Sequence, residues 1–88
     1  MPEMFLHTTP EEARPGYRLY LEFNNGVTGE VNLMDELWGE VFEPLTDVTL
    51  FATARQDEVL GTVVWANGAD LAPEFLLKLL QEQTSQAA

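Results

Sequence analysis

Residues 17–33 carry the pattern that most restricts how this chain can fold. Tyr17, Leu19, Leu21 and Phe23 alternate with Arg18, Tyr20 and Glu22; Val27, Val31 and Leu33 alternate with Thr28, Glu30 and Asn32. Such period-two alternation marks strands with one buried and one wet face. The linking Asn24-Asn25-Gly26 decides the register. A two-residue type I′ turn on Asn25-Gly26 would set Phe23 opposite Thr28 and Leu21 opposite Glu30, mixing the faces. A three-residue loop with its glycine left-handed pairs Phe23 with Val27, Leu21 with Gly29 and Leu19 with Val31. The three-residue loop is therefore predicted. Gly29 then leaves a gap on the apolar face, where a bulky side chain from a helix can pack.

A second stretch, Gly61 to Leu80, reads as strand, turn and helix. Thr62-Val63-Val64-Trp65 is β-branched and aromatic. Ala66-Asn67-Gly68 supplies turn residues that tolerate positive φ. Asp70 offers a capping carboxylate and Pro73 a preset φ for a first helical turn. The helix is expected from about Pro73 to Gln83, with Ala72, Phe75, Leu76, Leu79 and Leu80 as its apolar stripe. Leu77 lies off that stripe and, with Tyr20 on the outer sheet face, is left for a partner or homodimer surface.

The remaining segments are shorter. Residues 4–8 are expected as an edge strand, followed by one helical turn at Thr9-Pro10-Glu11-Glu12 that Arg14-Pro15-Gly16 stops. Met34–Trp38 should make a short helical turn ended by Gly39, and Val41–Leu45 a connector with two large apolar side chains. Asp47 can cap a second short helix over residues 48–54. Arg55–Glu58 should lead out as a strand that turns near Gly61, and residues 83–88 read as a frayed tail. The expectation is one α+β domain over 1–88. It has a small antiparallel sheet (hairpins 17–33 and about 54–65), short helices, and a C-terminal helix packed on one face.

Composition narrows the function classes. Hydrophobic residues make up 45% of the chain, enough for a core in a domain of 88 residues. Without cysteine there is neither a disulfide framework nor a thiolate metal site. No apolar run reaches the ~20 residues that span a membrane, and the N-terminus lacks the form of a signal peptide, so a cytoplasmic protein with no membrane partner is expected. Fifteen acids face four basic residues, a net charge of −11. Arg14, Arg18, Arg55 and Lys78 form no cluster along the sequence, so direct nucleic-acid binding is not expected. An acidic surface either keeps a small domain soluble or steers a basic protein toward it.

No catalytic set assembles from the residues. The single serine is Ser85 and the single histidine His7, so the hydrolase triads are missing and His7 reads as a half-buried or solvated side chain. No glycine-rich phosphate loop occurs. Asp35-Glu36 and Asp57-Glu58 lack the spacing of a calcium loop. The expectation is a non-enzyme with no cofactor and no metal. Trp65 reads as a core anchor and Trp38 as the better candidate for exposure.

Three segments together resemble the domain-of-unknown-function family 2442 (DUF2442). YRLYLEFNNGVTGEVNL resembles its L-x-V-x-F-x-x-G strand pair. VFEPLTDVTLFATA resembles its F-x-x-L-x-D-x-x-x-F segment through Phe42, Leu45, Asp47 and Phe51. GTVVWANGADLAPEFL resembles its W-x-N-G-x-D-L-x-P signature through Trp65, Asn67, Gly68, Asp70, Leu71 and Pro73. The resemblance covers about residues 4–80; Asn32 stands where the family usually has Asp. It implies a small α+β domain of no established activity, whose relatives stand alone, accompany a small toxin-like protein, or are fused to a helix-turn-helix domain. No DNA-reading unit of that kind is expected in this chain. An antitoxin-like interaction module for a basic protein is thus expected, with Glu11, Glu12, Glu36, Glu40, Asp57 and Glu58 contributing charge. The alternative is a small-molecule or metal-binding domain with a pocket near Trp65, Asn67 and Asp70. Trp65, Asn67, Gly68, Asp70, Trp38, Glu36 and Glu40 are the candidate partner-binding or signature residues.

Overall fold

Strand β2 (Arg18–Phe23) lies at the centre of a three-stranded antiparallel sheet, between β1 (Thr8–Arg14) and β3 (Thr28–Asn32). A computed structural model supplies this structure and describes residues 6–86. The predicted register holds at every position: Leu19 faces Val31, Leu21 faces Gly29, and the Phe23 N–H donates to the Val27 carbonyl at 2.8 Å. Leu19, Leu21, Phe23, Val31 and Leu33 are all buried on one face. A second, two-stranded sheet pairs β4 (Arg55–Asp57) with β5 (Thr62–Val64), and helix α2 (Pro73–Gln86) closes the chain. Short α1 (Val48–Phe51) is capped as expected, with the Asp47 carboxylate accepting from the Thr49 N–H at 2.9 Å. Two 3-10 turns, Met34–Glu36 and Glu43–Thr46, fill the connection. No helix of the described residues is long and apolar enough to cross a membrane.

Strand β1 corrects the expected helical turn at Thr9–Glu12. One turn stopped by Pro15-Gly16 would satisfy few backbone groups, whereas pairing with β2 satisfies them along the strand. The ladder accommodates a bulge between Pro10 and Glu12. Met4 and Phe5 of the expected edge strand lie outside the described residues, as do Ala87 and Ala88; α2 continues through Gln86 where a frayed tail was expected.

The helix keeps Leu76, Leu79 and Leu80 of the predicted stripe against the core but not Ala72 and Phe75. Leu76 and Leu80 are buried, Leu77 packs half-buried against the core, and Phe75 and Ala72 face solvent. The core-facing stripe is thus Pro73, Leu76 and Leu80, flanked by half-buried Leu77 and Leu79. Leu77 is not left free for a partner. A Cβ at Gly29 would lie 2.8 Å from Leu80 Cδ1, so Leu80 fills the predicted gap in the sheet.

The two Asn-Gly turns are one device used twice. In Phe23–Val27 and in Trp65–Ala69 the first N–H donates to the fifth carbonyl, at 2.8 and 2.9 Å. The glycine N–H donates back to the first carbonyl, at 3.1 and 2.9 Å. The central Asn Oδ1 accepts from the fifth N–H at 3.1 Å in both. Gly26 and Gly68 hold φ of +92° and +91°, a conformation open to glycine at little cost. The second loop carries the chain back along β5, where Val64 bridges Asp70.

Candidate functional site

The segment after β3 and the start of α2 enclose a shallow apolar groove of about 350 Å³. Trp38, Val41, Phe42, Leu71 and Phe75 line it, and Glu36 and Glu40 stand at its rim. Local backbone chemistry explains why the tryptophan is outside. The 3-10 turn ends when the Trp38 N–H bonds the Glu36 carbonyl at 3.0 Å, and Gly39, at φ +89°, reverses the chain before the core is reached. Trp38 is left 72% exposed. Phe75 stands across from it because the helix phase turns that position outward.

Signature residues support this groove from behind. Asn67 donates its Nδ2–H to the Val41 carbonyl at 3.0 Å, tying the second Asn-Gly loop to the groove wall. Leu71 joins the lining while its N–H reaches Val63 O and its carbonyl accepts from Thr62 Oγ1. The structure therefore brings Trp38, Glu36 and Glu40 together, with Asn67 one hydrogen bond away. Trp65 is 1% exposed in the core, and Gly68 is a turn position. This corrects the pocket expected near Trp65, Asn67 and Asp70, because the indole is fully packed and the Asn67 amide is engaged. The capping role expected for Asp70 is corrected too. Helix α2 begins at Pro73, with the Ala72 carbonyl accepting the first helical bond from Leu76 at 3.1 Å. The Asp70 carboxylate is exposed and makes no hydrogen bond among the described residues.

Sequence reasoning missed Phe75 and Leu71 as groove residues. Counting the helical phase from Pro73 instead of Ala72 is the signal that would have found Phe75. The described residues hold no group of three or more His, Asp or Glu side chains placed to bind a metal.

Charge on the opposite, outer sheet face is largely paired. Arg14 and Arg18 are neighbours across β1 and β2. Glu30 accepts from Arg14 at 2.9 Å and from Arg18 at 3.2 Å, and Arg14 also meets Glu12 at 3.0 Å. The Arg14 guanidinium lies 4.9 Å over the Tyr20 ring. Tyr20 is thus half-covered by its own sheet. The hydrogen bond from Arg14 foremost, aided by the charge of Arg18, holds the Glu30 carboxyl below its usual range. A pKa lowered by folding contributes stability that is complete above the unfolded value, about 4.3, and is lost as pH falls through the folded value. The melting-temperature gap between the parent and Glu30→Gln should therefore stay constant down to about pH 5 and close on further acidification. A gap that widens in acid would contradict this.

Comparison with known proteins places the chain. The profile of the family described as "Protein of unknown function (DUF2442)" matches residues 12–82. No curated protein matches. A crystal structure from Nitrosomonas europaea, named "Putative DNA Binding Protein", is similar at 28% identity with a TM-score of 0.79. The match covers 97% of this chain and 56% of that one, so this chain spans little more than half of its neighbour's length. That neighbour overturns the exclusion of direct nucleic-acid contact that was drawn from net charge. The exclusion failed for a physical reason. Net charge is a sum over the whole surface, and separation along the sequence does not measure separation in space.

Proposed function

This chain belongs to the DUF2442 family, and we propose that it acts there as a non-enzymatic, antitoxin-like interaction domain that docks a basic segment of a partner protein. The carrying observation is the exposed Trp38 over an apolar groove whose rim bears two carboxylates and no basic residue. Aromatic anchors in such grooves dominate binding energy, and rim charges steer encounter and select partners of opposite sign. A partner with lysine or arginine flanking an aliphatic or aromatic side chain matches both features.

The test is a pull-down with the tagged chain, washed first at low and then at high salt. The expected result is one small basic protein held at low salt and released at high salt. Capture that salt does not weaken, or no capture at all, would count against the reading. The neighbour's name favours a second reading, in which the domain works at DNA. A saturable anisotropy change of a labelled duplex at ~50 mM salt, falling steeply as salt rises, would carry it; a flat titration would set it aside.

A further inference from the structure

The two outer edges of the three-stranded sheet are finished differently. At the start of β1 the outward groups are taken up: Thr8 donates its N–H to Gly61 O at 3.0 Å and accepts from Gln56 Nε2 at 3.2 Å, and Pro10 has no N–H to offer. Along β3 the bonds Phe23 to Val27 and Leu33 to Tyr17 fix which residues face β2. Val27, Gly29, Val31 and Leu33 turn their backbone groups inward, so Thr28, Glu30 and Asn32 turn theirs outward. Among the described residues the outward groups of Thr28 and Glu30 have no partner. Those of Asn32 do. The Gln83 side chain accepts from the Asn32 N–H at 2.9 Å and donates to its carbonyl at 2.9 Å.

A carboxamide carries the same donor and acceptor as a peptide group. Gln83 therefore occupies the place of one peptide unit of a fourth strand, held there because Leu80, three residues earlier on the same helical face, packs over Gly29. We propose that the β3 edge accepts an extended basic segment of a partner as an added strand, with Gln83 as its displaceable stand-in. The choice of a basic occupant extends the interaction-domain reading above. It is also supported locally: a concavity of about 480 Å³ at the Asn32 end is lined by Asp35, Glu36 and Glu82 and by no basic residue. Met34 and Leu79 in the same lining offer apolar contact to alternate side chains of such a strand. A second copy of this chain is the poorer occupant, because each carries a net charge of −11. Displacing Gln83 lengthens the acceptor from two outward residues to three, and main-chain hydrogen bonds of this kind supply affinity in strand addition.

The test uses a fluorescein-labelled hexapeptide of alternating lysine and valine, and the same peptide methylated at every backbone nitrogen. The expected result is an amide shift change at Thr28, Glu30 and Asn32 on titration, with the methylated peptide at least about tenfold weaker. Gln83→Ala should bind about tenfold more tightly than the parent, while Val59→Ala, at an exposed position in the turn between β4 and β5, binds equally well. No binding, or binding that neither methylation nor Gln83→Ala alters, would overturn the proposal. Binding lost in Trp38→Ala but insensitive to methylation would also overturn it, while leaving the groove reading intact.

Discussion

Trp65→Ala should unfold the domain or leave it barely folded. The indole is among the largest fully buried side chains, and its Nε1–H donates to the Phe51 carbonyl at 3.0 Å. Its ring lies 6.1 Å from that of Phe51, which in turn meets Tyr17 edge-on at 5.5 Å. Tyr17 closes the chain of contacts by donating its hydroxyl to Thr46 O at 2.6 Å. Removing a buried tryptophan costs about 3–5 kcal/mol, and among the described residues the Phe51 carbonyl keeps only its bond from the Ala54 N–H, at 3.3 Å. Total stability for domains is about 5–15 kcal/mol, with small ones toward the lower end. Trp65→Phe keeps most of the burial and loses the N–H donor, so the lost hydrogen bond should cost about 0.5–1.5 kcal/mol. Urea denaturation of the three proteins checks the order. A Trp65→Ala variant melting close to the parent would show that the core does not depend on this residue.

Trp38→Ala should do the reverse, sparing the fold and removing the binding. With 72% of its surface in solvent, its loss should change stability by no more than about 0.5 kcal/mol. If Trp38 anchors a basic partner, truncation should cost about 2 kcal/mol or more, roughly thirtyfold in affinity. The pair of measurements is a melting curve and a titration with the protein captured at low salt. Unaltered capture by a well-folded Trp38→Ala would remove the groove as the docking site. One residue type thus takes opposite roles 27 positions apart, and the backbone around each decides which. Trp65 continues a buried strand; Trp38 lies between a 3-10 turn over Met34–Glu36 and Gly39, at φ +89°.

Part of the candidate site was legible in the chain itself. The exposure of Trp38, the acids beside it and the apolar Val41-Phe42 connector follow from local composition. The signature Trp65-Ala66-Asn67-Gly68 reads as a turn, and the structure shows what that turn accomplishes. It repeats the hydrogen bonds of the first hairpin loop and lends an amide to the groove wall. Asp70 is the exception: its carboxylate reads as a cap and is left in water, because the helix starts three residues later.

Short-range rules determined the elements whose pattern and turn chemistry agree. Alternation and the three-residue loop fixed the register of β2 and β3, since a slip by one residue would turn the entire apolar set to solvent. The Asp47 cap likewise depends on atoms two residues apart. Tertiary structure alone decided three things. Thr8–Arg14 became a strand because β2 offered an unfilled edge, outweighing a weak helical start. Packing of helix α2 turned Leu77 inward and left Phe75 in the groove. Gln83 met Asn32 across 51 residues, a pairing of two ordinary polar side-chain and backbone groups that no local periodicity encodes. Each depends on contact between segments distant in sequence, and only the closed chain brings those segments together.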